Sequence, residues 1–179
     1  MAATWRQVCD EGPRSEVIAS ISTYRRCMPR PPRLQVAGGT YHVTSRGNRH
    51  QSIYHDDLDR RLFLVLRDRV VRRCGWRMLA YCLMTNHFHL LITTPAPNLS
   101  VGMHHLNGEY AKYFNERHSF DGHLFERRFE SRLVESEEYF ADALRYIAFN
   151  PVKAGLCAHP REWRWSSFFG VEDSFVFDR

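Results

Sequence analysis

The sequence predicts an α+β fold in which an antiparallel-rich sheet is covered by helices on one face. Three observations carry that expectation. Strand-like and helix-like segments alternate in the order βαββαβα, two apolar runs of strand length are separated only by Thr85-Asn86, and two further segments repeat their apolar residues at helical spacing. Consecutive strands joined by a tight turn pair antiparallel, and the helices between them return to cover the sheet.

Taken in order, residues 1–39 read as an irregular leader, with prolines at 13, 29, 31 and 32 and a Gly38-Gly39 pair. Met28 opens the stretch MPRPPRLQ and is a plausible start, so residues 1–27 are expected to be a mis-called extension or an arm, and 40–179 a single domain. Residues 40–46 (TYHVTSR) have the β-branched and aromatic character of a strand, stopped by Gly47-Asn48. Asp56 or Asp57 can cap a helix whose apolar positions Leu58, Leu62, Leu66 and Val70 recur every four residues until Gly75. Residues 76–84 and 87–94 follow as two strands. A second helix starts near Leu99, with Leu99, Met103, Leu106, Tyr110 and Phe114 on one stripe, and 129–134 is a short strand. Ser136 caps a third helix, with Glu137 and Glu138 where negative charge suits the dipole. Asn150-Pro151 should end it, because a residue before proline is pushed out of the α region. Trp163, Trp165, Phe168 and Phe169 are expected to pack the C-terminal segment onto the domain.

Composition narrows the function. The 179 residues fit one domain, and 44% apolar content supports a core, which excludes a wholly disordered chain. No apolar stretch approaches the roughly eighteen residues of a membrane span, and residues 1–27 lack a secretory run, so a cytoplasmic address with no membrane partner is expected. Five cysteines without a CxxC pair give little support to structural zinc or a disulfide scaffold. The net charge is +5, and apart from Lys112 and Lys153 every Lys or Arg is arginine. Guanidinium grips phosphate bidentately and stacks on bases. A GC-rich genome favours arginine as well, so composition alone does not decide for nucleic acid.

Chemistry concentrates in a few places. In Asn86-His87-Phe88-His89, strand alternation projects His87 and His89 together on one face, where two imidazoles can share a metal ion. HExxH is absent, which excludes a metalloprotease helix. Among eight tyrosines only Tyr146 has a carboxamide or carboxylate four residues on, at Asn150, and helical geometry puts the two on one side, away from the stripe of Phe140, Leu144 and Ile147. His42 can line the same pocket or be a buried, hydrogen-bonded histidine. His104 and His105 diverge by about 100° on their helix and form a weak ligand pair. Cys74 and Cys82 read as small core residues. Two basic clusters, Arg46, Asn48, Arg49 and His50, then Arg127, Arg128 and Arg132, can grip phosphate or base edges.

Across residues 40–167 the chain resembles the REP-associated tyrosine transposases, within the single-tyrosine HUH superfamily. The resemblance lies in YHVTSRGNRHQSIYHDD, YCLMTNHFHLLI, YAKYFNERH with GHLFERRFESRLV, ALRYIAFNPVKAGL and WRWSS, in that order. One departure is visible, Glu126-Arg127, where GHLFQGR-like segments are common. The resemblance implies an RRM/ferredoxin-like sandwich. It also implies a divalent metal, Mg²⁺ or Mn²⁺, held by His87, His89 and Asn150, and a catalytic Tyr146. The implied activity is cleavage and rejoining of single-stranded DNA at an imperfect REP-like hairpin through a 5′-phosphotyrosine link, by a monomer or homodimer. The alternatives are a catalytically idle hairpin-binding protein and, third, an unrelated metal-dependent hydrolase using the His pair.

Overall fold

A computed structural model describes residues 35–171; the expected leader up to residue 34 and residues 172–179 lie outside the described residues. Four strands, β1 (Thr40–Arg46), β2 (Arg77–Leu83), β3 (His87–Thr93) and β4 (Glu130–Leu133), form one sheet in the order β2-β3-β1-β4. Every neighbouring pair is antiparallel. Among the described residues the α-helices are α1 (Asp57–Cys74), α2 (Leu99–His118) and α3 (Glu137–Lys153). The α+β class and the antiparallel sheet expected from the sequence are what the chain adopts. Residues 35–39, counted with the leader, instead form a turn tied to the domain, with Gly38 N donating to Thr94 O at 2.8 Å and Ser100 N to Gln35 Oε1 at 2.8 Å.

The sheet has two unlike faces. Tyr41, Val43, Phe88, Leu90 and Ile92 point one way and join α1 and α2 in the larger core. Leu91, Ala80 and Cys82 point the other way, against Ala143, Leu144, Ile147 and Ala148 of α3. Helices therefore lie on both faces, not one. The apolar stripe of α3 needs an apolar partner surface, and the β2–β3 half of the second face supplies it.

The α1 stripe also differs from expectation. The Asp56 side chain accepts from Asp59 N at the N-terminus, and Gly75 closes the helix in the left-handed conformation. Inside, the buried residues are Asp59, Phe63, Leu66, Arg67 and Val70, whereas Leu58 is 54% exposed. A strict four-residue repeat drifts about 40° per step around a helix of 3.6 residues per turn, so only part of it can stay on one face. The α2 stripe fits throughout, with Leu99, Met103, Leu106, Tyr110 and Phe114 all buried.

Pro151 does not end α3. The helix runs on to Lys153, with Ile147, Asn150 and Pro151 buried, Ala154 N donating to Asn150 O at 3.0 Å and Leu156 N to Pro151 O at 2.9 Å. These contacts outweigh the local preference of a residue before proline. Beyond α3, Trp165 and Phe168 are buried and Trp163 Nε1 donates to Leu83 O at 2.9 Å, but Phe169 is 57% exposed and takes no part in that packing. Cys82 is buried, as expected, and Cys74 half-buried. No helix among the described residues is long and apolar enough to cross a membrane.

Candidate metal and nucleic-acid site

Strand register builds the site. Thr44 lies opposite His89, Arg46 opposite His87 and Arg132 opposite His42, so three neighbouring strands bring these side chains to one face of the sheet. Because α3 covers the β2–β3 half of that face, the β1–β4 half is left as the floor of a cleft of about 840 Å³. Helix α3 forms the other wall with Tyr139, Asp142, Tyr146, Phe149 and Lys153, spaced three or four residues apart on one helical face.

At the centre is His89, 4% exposed. Its Nε2 accepts from Asn150 Nδ2 at 2.9 Å, and its Nδ1 lies 2.9 Å from His42 Nε2 and 3.0 Å from Thr44 Oγ1. With Nε2 accepting, Nδ1 carries the proton and donates toward Thr44 and His42. The His87 ring stands edge-on to His89 with centroids 5.0 Å apart, and the Tyr146 ring packs edge-on to His89 at 5.3 Å and to His42 at 5.8 Å. Tyr146 is 45% exposed, with Lys153 Nζ 5.5 Å from its ring centroid. Of the expected metal and nucleophile set, His89 and Tyr146 line the cleft, while His87 and Asn150 reach it through His89, the first packed against its ring and the second bonded to its Nε2. His42 fulfils both of its readings, being half-buried, hydrogen-bonded and part of the cleft lining.

The electrostatics hold the imidazoles neutral. Burial, with the Arg46 charge adding to it, pushes the His87 imidazole down to about 4. Burial holds His89 well below the ordinary histidine range, reinforced by His42, His87 and Arg46. His42 is lowered by burial and then by Arg132. Neutral imidazoles are the form a metal ion requires. No group of three His, Cys, Asp or Glu side chains suited to a metal gathers among the described residues; the carboxamide of Asn150 touches His89. Two neutral imidazoles and a carboxamide fit a divalent cation of the Mg²⁺ or Mn²⁺ kind, nitrogen favouring Mn²⁺.

The basic residues divide. Arg46 and Arg132 line the cleft together with Arg145 and Lys153, against two carboxylates, Glu130 and Asp142. Arg132 also lies over the Tyr139 ring, 4.3 Å from its centroid. Asn48, Arg49 and His50 occupy the turn just beyond β1. Arg127 and Arg128 do not line the cleft. Arg127 pairs with Glu130 at 2.7 Å and Glu126 at 3.5 Å, so the Glu126-Arg127 departure is an ion-paired arrangement that offsets the charge of a cleft carboxylate. His104 and His105 sit 6.0 Å apart on α2, outside the cleft lining. Sequence reasoning missed Thr44, Tyr139, Asp142, Arg145 and Lys153. The signal for Lys153 was present, since it follows Asn150 by three residues and Tyr146 by seven, but the expected helix end at Pro151 hid it.

Comparison with known proteins bears on family and fold. Residues 35–150 match the family model described as "Transposase IS200 like". A Haemophilus influenzae protein described as a REP-associated tyrosine transposase is 27% identical over an alignment 100 positions long, which covers 50% of this chain and 57% of that relative. The matched part thus spans little more than half the length of the curated relative. A solved structure of a REP-associated tyrosine transposase bound to a REP hairpin superposes with a TM-score of 0.67 at 20% identity, covering 85% of this chain and 95% of that one. At that identity the superposition speaks for the fold.

Proposed function

Because the chain belongs to the IS200-like transposase family, we propose that it cleaves and rejoins single-stranded DNA beside a REP-like hairpin, using Tyr146 as nucleophile and a divalent cation held by His87, His89 and Asn150. The observation that carries this reading is the contact of a half-exposed tyrosine ring with His89, whose Nε2 is bonded to Asn150, at the edge of a cleft with four cationic side chains.

A cation bound there withdraws charge from the scissile phosphate. The chain's own residues do the rest. Arg46 and Arg132 on the floor, and Lys153 beside the Tyr146 ring, attract and hold the phosphate backbone. The Tyr146 oxygen attacks phosphorus in line, the bond from phosphorus to the 3′ oxygen breaks, and a 5′-phosphotyrosine forms. One proton leaves the phenol and one arrives on the 3′ oxygen, so the step balances. Phenolate is a fair leaving group, so a 3′-hydroxyl can reverse the step and rejoin strands without ATP. An open cleft between sheet and helix admits an unpaired strand, and Tyr139 offers a ring for base stacking.

The test is a labelled single-stranded hairpin oligonucleotide incubated with Mn²⁺ or Mg²⁺. The expected product is an SDS-resistant protein–DNA adduct, absent with EDTA and in Tyr146→Phe. Tight hairpin binding with no adduct in the wild type would replace this reading with that of an idle binder.

A further inference from the structure

Immediately before His87, the Thr85-Asn86 turn meets the loop that leaves β1. That loop is locally strained, since Arg49 and His50 both have positive φ, 52° and 59°, which side chains other than glycine rarely adopt. It is held to the turn by three hydrogen bonds. Gly47 N donates to Asn86 O at 2.8 Å, Ile53 N donates to Thr85 O at 3.1 Å, and Asn86 Nδ2 donates to His50 O at 3.0 Å. The other end of the same amide, Asn86 Oδ1, lies 2.8 Å from His87 Nδ1.

These contacts constrain one another. The His50 carbonyl can only accept, so the amide must turn its NH₂ toward it. Oδ1 then faces His87, and an amide oxygen can only accept, so His87 Nδ1 must carry the proton. A neutral imidazole protonated at Nδ1 has its lone pair on Nε2. We propose that Asn86 is a positioning residue which fixes His87 in the tautomer with a free Nε2 and ties that ligand to the Gly47–His50 loop bearing Arg49. A single side chain thereby joins the two parts of the site, the cation ligand and the expected DNA-gripping loop. This inference rests on the cation reading above. It follows from a half-buried amide whose two ends are both engaged, and such partners of metal-binding imidazoles commonly set ligand orientation.

Two variants separate the two ends. Asn86→Asp keeps an oxygen that accepts from His87 Nδ1–H and loses the donor to His50. Asn86→Ala loses both. In metal-free protein with ¹⁵N-labelled histidine, the His87 resonance of the wild type and of Asn86→Asp should show the proton on Nδ1, and that of Asn86→Ala should move toward the Nε2–H form. In Mn²⁺ titrations, Asn86→Ala should bind about 10- to 100-fold more weakly than wild type, while Asn86→Asp stays within about threefold. Wild-type His87 protonated on Nε2 overturns the proposal, as does Asn86→Ala with unchanged tautomer and affinity. A wild type that binds no Mn²⁺ overturns the cation reading itself and this proposal with it, whereas equal binding by wild type and Asn86→Ala overturns this proposal alone.

Discussion

Asn150 illustrates how much a single side chain does at this site. It is buried, and its only described hydrogen-bonding contact through the side chain is Nδ2 to His89 Nε2 at 2.9 Å. Truncation to alanine leaves a buried imidazole nitrogen without that donor, which costs about 1–2 kcal/mol of stability in the metal-free chain. If Asn150 holds the proposed cation, the same change removes a donor, and Mn²⁺ affinity should fall by more than about tenfold. Urea unfolding in EDTA and a Mn²⁺ titration on Asn150→Ala measure the two effects separately. An unchanged affinity would remove Asn150 from the ligand set. Tyr146 is the contrasting residue, since its ring is anchored against His42 and His89 while its 45% exposure leaves it open to solvent.

At the level of elements, the packing of α2 against the loop after α1 shows a local preference being overruled. Gly102 lies inside α2, where alanine normally stabilises a helix by about 1 kcal/mol relative to glycine. Here a Cβ would overlap the Trp76 ring. That ring cannot easily withdraw, because Trp76 Nε1 donates to Asn98 Oδ1 at 2.7 Å and Asn98 Nδ2 donates to Cys74 O at 3.0 Å. Overpacking at a constrained contact costs about 1–3 kcal/mol, which exceeds the helix gain. Gly102→Ala should therefore lower the unfolding midpoint, and a rise in that midpoint would show the indole to be freer than these bonds imply. A second tie joins the far ends of the same helices. Buried Asp59 of α1 accepts from Arg117 and His118 of α2 and from the His55 backbone, and these bonds outweigh the effect of burial and hold its carboxyl below the usual range.

For the whole molecule, the three depressed imidazoles make stability depend on pH. Unfolded, His42, His87 and His89 take up protons below about 6.5. Folded, they resist, down to about 4 for His87, because burial disfavours the charged form. The unfolded chain then binds more protons, so stability rises with pH across this window. Their contribution is complete above about pH 6.5 and is lost as the pH falls toward 4. Urea midpoints measured in EDTA should fall steadily between pH 7 and 4.5; a flat profile there would mean that the imidazoles are more hydrated than their burial indicates.

The order of elements, the caps at Asp56 and Ser136, the α2 stripe and the pairing of Tyr146 with Asn150 were legible because they are local, set by spacing along a chain of known pitch. So was the shared face of His87 and His89. What local pattern could not supply was the face of the sheet on which α3 lies, because βαββαβα leaves the last helix free to choose either side. Its choice follows from the apolar patch of Ala80, Cys82 and Leu91, a surface assembled from two strands. The continuation of α3 through Pro151, and with it the place of Lys153 in the cleft, likewise depended on burial against neighbours that outweighs a one-residue preference. The division of the arginines is the same lesson in charge. Arg127 and Arg132 look alike in sequence, yet the first is drawn to Glu126 and Glu130 and the second lines the cleft, since ion pairing is decided by which groups the fold brings within a few ångströms. Sequence alone determined the local spacing that groups His87 with His89 and Tyr146 with Asn150; tertiary structure decided which further side chains join them and which face one another, because contacts between distant segments exist only once the chain has closed upon itself.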